Sequence, residues 1–191
     1  NTSPGEVSIL GGGNLKACNI EVPSDISSSA FFMVAASIAK EADITLLAVN
    51  VNPTRTGVID ILRLMGANIE LINERLEAGE LIADIRICSS KLKGINIPEH
   101  LVPLAIDEFP VIFVAASCAK GETVLTGAKE LRVKESDRIQ VMADGLSSLG
   151  IENEVLDDGI KIVGGEFKEQ LAPIKSHHDH RISMSFAVAS V

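Results

Sequence analysis

Between Leu131 and Arg138 the chain reads Leu-Arg-Val-Lys-Glu-Ser-Asp-Arg, and little else in it is as chemically loaded. An amphipathic pattern follows directly, so the run falls at a predicted helix start. Unpaired N–H groups and the helix macrodipole already favour an anion there. Lys134 and Arg138 add cations at that positive end, which suits a phosphate or carboxylate, and Glu135 beside them could carry a proton. The plainer reading is a solvated first turn capped by Ser136 or Asp137, because acidic residues favour first turns. Paired cations are not part of that plainer pattern.

Three other clusters have dual readings. In His177-His178-Asp179-His180-Arg181, an extended strand would put His178 and His180 on one face, as metal ligands require. Zinc takes about four ligands in structural sites and about three plus water in catalytic ones. Only His100 remains elsewhere, and nothing marks a partner carboxylate, so no metal is assigned. Either Asp179 caps a helix over 181–190, or His180 serves as proton donor and Arg181 as anion clamp. Asp107-Glu108 precedes an apolar run. The pair either caps a helix or holds a carboxylate near a low-dielectric core, where it could accept a hydroxyl proton. Ser24-Asp25 and Ser27-Ser28-Ser29 are explained by capping and turn chemistry. The chain has no Walker motif, no GxGxxG and no GxSxG, and Gly11-Gly12-Gly13 lacks the Lys-Ser/Thr pair of a phosphate loop.

The elements that must carry these residues repeat. Residues 32–40 and 112–120 align without a gap, 80 positions apart, as two apolar helices. Each leads into a β-rich stretch, Ile44-Thr45-Leu46-Leu47 or Thr123-Val124-Leu125. An amphipathic helix comes next. In one copy it is marked by Val58, Ile61, Leu62 and Met65, in the other by Ile139, Met142, Leu146 and Leu149. Gly66 and Gly150 suit the C′ position, and strands over 68–72 and 152–156 follow. The second of these strands turns at Asp157-Asp158-Gly159 into 160–163. Phe186-Ala187-Val188-Ala189-Ser190 resembles 113–117 and begins a third copy that Val191 interrupts. The reading is therefore an α/β (α+β) fold of repeated units with apolar helices inside and sheets around them. It forms one lobe over 1–191, with repeats near 20–90, 100–165 and 175–191, the last incomplete and the chain a piece of something longer. Residues 1–13 read as a lead-in, 52–57 as a loop with a threonine cap, and 164–176 as a looser connection.

Composition narrows the function. The chain has 191 residues, 46% of them apolar and 23% charged, which is ordinary for a globular protein. No run approaches the ~20 apolar residues of a membrane helix. A net charge of −9 with no Trp or Tyr argues against a nucleic-acid or anionic-membrane surface. Cys18, Cys88 and Cys118 lack CxxC spacing and read as reduced, buried thiols of a cytoplasmic protein.

Four segments together resemble the 5-enolpyruvylshikimate-3-phosphate synthase family (3-phosphoshikimate 1-carboxyvinyltransferases). They are Val22 to Phe32, Asn52-Pro53-Thr54-Arg55-Thr56-Gly57, Leu131 to Arg138, and Asp179-His180-Arg181 with its apolar helix. The resemblance implies an enolpyruvyl transferase-like lobe of βαβαββ units around parallel buried helices, the C-terminal lobe of a two-lobe, monomeric enzyme. It implies transfer of the enolpyruvyl group of phosphoenolpyruvate to the 5-hydroxyl of shikimate 3-phosphate, with phosphate released and neither metal nor organic cofactor. Carried over by motif, Asp107 holds the 5-hydroxyl as a candidate base, and Glu135 transfers the proton at the phosphoenolpyruvate methylene. Lys134 serves the shikimate phosphate side, Arg138 and Arg181 grip phosphoenolpyruvate, and His180 is their neighbouring imidazole. Glu130 stands where some relatives place a neutral asparagine against the shikimate ligand. The cationic cluster of the N-terminal lobe and a lysine of the final segment are missing from the sequence, so the piece alone is expected to be inactive. The alternatives are the related transferase acting on UDP-N-acetylglucosamine and a non-catalytic repeat module that binds an anion or a protein.

Overall fold

The computed structural model describes residues 2–3, 6–14, 16–17, 19–169 and 173–191. A short antiparallel pair is formed by β1 (Thr2–Ser3) and β2 (Glu6–Val7), and the described residues from there to the first helix are exposed apart from the half-buried Pro23. The first copy then runs α1 (Ile26–Ile38), β3 (Asp43–Asn50), α2 (Gly57–Leu64), β4 (Asn68–Glu77) and β5 (Glu80–Cys88). The second runs α3 (Phe109–Ser117), β6 (Glu122–Leu125), α4 (Arg138–Ser148), β7 (Asn153–Leu156) and β8 (Gly159–Val163). A last helix, α5 (His180–Val188), follows.

Each copy closes a three-stranded antiparallel sheet in the order β3-β5-β4 or β6-β8-β7, so the last strand of the unit lies in the middle. The opening β position of each unit is a brief parallel bridge, Ser24 against Val49 in one copy and Asn96 against Val124 in the other. The mixed architecture of helices and sheets expected from the sequence is present.

The helices differ as their residues dictate. Apolar side chains surround α1 and α3, so both lie in the interior, and every residue of α3 is buried. Their buried serines, Ser37 and Ser117, again 80 positions apart, donate to the carbonyls of Met33 and Phe113 at 2.8 Å. That satisfies hydroxyls that would otherwise be costly to bury. α2 and α4 are amphipathic, and Val58, Ile61, Leu62, Ile139, Met142 and Leu146 are wholly buried. Gly66 and Gly150 follow at φ +94° and +80°, the left-handed C′ conformation glycine adopts without penalty. In the centre α3 packs against both α1 and α5, and α1 also touches α5.

Some sequence expectations need correction. Thr56 holds the N-cap position of α2 but makes no side-chain capping bond. Glu108 likewise holds the N-cap position of α3 without capping it. Cys118 is exposed and Cys88 half-buried, because each sits where its element leaves the core, and both are free; Cys18 lies outside the described residues. The lead-in and the 164–176 connection are described only in part, without 1, 4–5 and 170–172. His177 and His178 form a turn with φ of 52° and 63°, and His180 begins α5. The extended strand that would align His178 with His180 is absent.

Candidate functional site

Helix starts bring the chemistry together. Asp107 and Glu108 immediately precede α3. Lys134 and Glu135 lie between a 3-10 turn, Lys129–Val133, and α4, whose first residue is Arg138. Asp179 caps α5, and His180 and Arg181 begin it. The caps are side-chain carboxylates. Asp137 accepts from the Gln140 N–H at 3.1 Å and Asp179 from that of Arg181 at 2.9 Å.

Arg138 is the hub. It is 1% exposed, and each arm of its guanidinium meets a different carboxylate. Nε donates to Asp179 at 2.9 Å, Nη1 to Asp107 at 3.2 Å and Nη2 to Glu135 at 2.5 Å. Asp179, wholly buried, also accepts from Ser136 Oγ at 3.1 Å. A buried charge with this many partners is a tightly specified arrangement, and removing one partner strands the other. Burial pushes the Asp179 carboxyl up. The bonds from Arg138, Arg181 N–H and Ser136 outweigh it and hold the group below the ordinary aspartate value.

Asp107 faces the cations from the rim. Lys134 Nζ lies 3.5 Å away and Arg181 Nη2 4.0 Å away, in addition to Arg138. Partial burial raises its pKa, but the charges of Arg181, Lys134 and Arg138 prevail, so Asp107 is held ionised below its usual value. Lys134 also binds Glu130, four residues earlier, and that bond more than any other raises its own pKa. Arg181 donates from Nη1 to the backbone carbonyl of Asp107 at 3.0 Å. Among the described residues that is the one hydrogen bond its guanidinium donates, which leaves most of its five donors free for a ligand.

Six of the seven residues singled out in the sequence therefore join one network: Asp107, Glu130, Lys134, Glu135, Arg138 and Arg181. His180 does not join. It is exposed, and no hydrogen bond or ion pair among the described residues uses its ring. Sequence reasoning took Asp179 for a cap alone and missed its pairing with Arg138. It also missed Ser27 and Arg55 of the first copy, which reach this side through Glu108. Arg55 had a signal, as the cation in the first copy's loop. Ser27 had none, being one serine in a run. Among the described residues, no group of three or more His, Cys, Asp or Glu is placed to hold a metal ion.

A family model described as EPSP synthase (3-phosphoshikimate 1-carboxyvinyltransferase) matches residues 1–191. The chain belongs to the EPSP synthase family. It is 72% identical over 190 residues to the 3-phosphoshikimate 1-carboxyvinyltransferase of Vesicomyosocius okutanii, covering 100% of this chain and 44% of that protein. The enzyme of the same name from Hydrogenovibrio crunogenus is 64% identical over 186 residues, 97% of this chain and 42% of the relative. Among solved structures, EPSP synthase from Acinetobacter baumannii superposes with a TM-score of 0.86 at 60% identity, covering 93% of this chain and 42% of that one. The enolpyruvyl transferase NikO from Streptomyces tendae shares the fold at 15% identity and TM-score 0.51. The chain thus spans less than half the length of the curated family members it matches.

Proposed function

We propose that this chain is the C-terminal lobe, over residues 1–191, of a monomeric, cytoplasmic EPSP synthase. The enzyme would transfer the enolpyruvyl group of phosphoenolpyruvate to the 5-hydroxyl of shikimate 3-phosphate. The observation carrying this reading is the meeting of Asp107, Lys134, Glu135, Arg138 and Arg181 at the starts of α3, α4 and α5 in a member of that family.

Each residue has a role its surroundings support. Asp107, ionised and partly exposed, takes the 5-hydroxyl proton as that oxygen bonds to C2 of phosphoenolpyruvate. Glu135 delivers a proton to the methylene carbon, giving a tetrahedral intermediate. The C2–phosphate bond then breaks, the methyl group returns its proton to Glu135 to restore the double bond, and the proton held by Asp107 passes to the departing phosphate. Lys134 and Arg181 meet substrate anions, with His180 and Glu130 at the margin of the site. No metal or organic cofactor enters the scheme.

The charge balance at Arg138 adds a step. Each arm of Arg138 gives one donor to a carboxylate and the side chain is buried, so a substrate anion would reach it by displacing one of the three. Glu135, 53% exposed, is the most accessible of the three. Its displacement by an incoming anion would free the proton carrier as the substrate seats. Asp107 would gain too, because neutralising Lys134 and Arg181 removes what holds its pKa down. The acid limb of kcat, which reports the complex, should therefore lie at higher pH than that of kcat/KM, which reports the free enzyme.

The free donors of Arg181 also suit a second reading, a non-catalytic repeat module that binds an anion or a protein. Full-length protein titrated with both substrates separates the two. Binding of both with phosphate release supports the enzyme, and binding of neither refutes it. Glu135→Gln should lower turnover by about 10²–10⁴-fold while changing affinities far less; unaltered turnover would remove Glu135 from the proton transfer. The 191-residue piece alone should be inactive.

A further inference from the structure

Apart from Asp179, which pairs with Arg138, Glu108 is the one buried carboxylate among the described residues that the proposed reaction does not use. It is 2% exposed, stands at the N-cap position of α3, and makes no capping bond there. The common reason for an acidic residue at a helix start is therefore missing. A carboxylate so buried requires partners, since desolvating it alone is prohibitive. Its Oε1 accepts a hydrogen bond from Ser27 Oγ in α1, and the same oxygen lies 3.7 Å from Arg181 Nη1 in α5. Ser27 Oγ in turn accepts from Arg55 Nη2 at 2.9 Å, so its one proton is committed to Glu108. Burial pushes the Glu108 carboxyl above its ordinary value despite the Ser27 bond and the Arg181 charge, consistent with a deeply held group. Asp107 and Arg55 complete the charges facing it.

The chain Arg55–Ser27–Glu108–Arg181 thus crosses the start of the first copy, the start of the second and the final helix. Among the described residues the Arg181 guanidinium donates one hydrogen bond, to a backbone carbonyl, and its charge partners Asp107 and Glu108 stand 4.0 and 3.7 Å away, so losing one of them leaves its long side chain freer to swing away. From this geometry we infer that Glu108, oriented by Ser27, is a positioning residue that holds Arg181 where it meets the phosphoenolpyruvate anion. The inference rests on the enzymatic reading above. A side chain acting only on one ligand's clamp changes that ligand's affinity and leaves the other ligand and the chemical step nearly alone.

The test uses full-length protein and steady-state kinetics with each substrate varied. Wild type is assayed first, and absence of turnover overturns the enzymatic reading and this inference together. With an active wild type, Glu108→Ala should raise KM for phosphoenolpyruvate about tenfold, with KM for shikimate 3-phosphate and kcat within about threefold. Ser27→Ala should give a shift of the same kind, about threefold, and the double variant no more than Glu108→Ala alone, since the two act as one unit. Glu108→Gln, which keeps an acceptor for Ser27 and loses the charge, should fall between them and covers the case in which the alanine variant does not fold. A phosphoenolpyruvate KM within twofold of wild type in folded Glu108→Gln and Ser27→Ala overturns the positioning role alone. Equal losses for both substrates and kcat do the same, marking a merely structural group.

Discussion

The two copies of the repeat share an element order and an antiparallel sheet, yet they treat charge in opposite ways. In the first copy the cap of α1, Asp25, is exposed and bonds its own helix. The loop before α2 ends at Gly57, whose amide donates to the Leu104 carbonyl. In the second copy the helix corresponding to α2 begins with Arg138, buried among three carboxylates, and beyond that copy the cap of the last helix, α5, is the wholly buried Asp179. The scaffold needs no charge at these points, since the first copy folds to the same plan without it. The ion cluster is an addition to a repeat that already closes its core with apolar residues.

This contrast can be broken by substitution. Arg138→Ala strands Asp179 and Asp107, and should destabilise full-length protein by about 3–5 kcal/mol in urea denaturation. Arg55→Ala, its exposed counterpart, should change stability by less than about 1 kcal/mol. Comparable losses would mean the cluster is no more embedded than a surface pair. Asp179→Ala should cost about 3 kcal/mol and Asp25→Ala about 1, because the first abandons a buried arginine and the second only a cap. At Gly57 an added Cβ would sit 2.7 Å from the Leu104 carbonyl carbon, a backbone contact that cannot turn aside. Gly57→Ala should therefore destabilise by about 1–3 kcal/mol, and a neutral result would show that the first copy's helix start can shift freely.

Acid titration gives the finest contrast. Asp107 and Asp179 have folded pKa values below their unfolded ones, so the unfolded chain binds more protons in that window. Their contribution is present above the ordinary aspartate value of about 3.9 and is lost as the pH falls through the lower folded values. Glu108 has the opposite sign. Its folded value is raised, so its contribution is full below about 4.3 and fades as the pH rises through the folded value. Glu108→Gln should thus gain stability relative to wild type as the pH rises from about 4 to 6, measured from denaturation midpoints. A relative loss over that range would contradict the sign assigned to the buried carboxyl.

Much of the scaffold was legible because its signals are local. The glycines after α2 and α4 and the i, i+3, i+4, i+7 stripe of Val58, Ile61, Leu62 and Met65 follow from backbone geometry within a few turns. The cluster was legible in part for the same reason, since Lys134, Glu135 and Arg138 are neighbours in the chain. Burial was not. Cys118 lies in an apolar stretch yet is exposed, because the helix before it ends at Ser117 and releases it to the surface.

By itself, then, the sequence determined which elements form and which stretches concentrate charge, because propensity, periodicity and motif are written within short stretches of chain. Tertiary structure alone decided how those charges are shared. Asp179 and Arg138 lie 41 positions apart and Ser27 and Glu108 lie 81 apart, so their pairing depends on which helix starts pack together. Whether a carboxylate caps its own helix, as Asp25 does, or binds another element's cation, as Asp179 also does, is fixed by packing, which excludes water from one and leaves the other exposed.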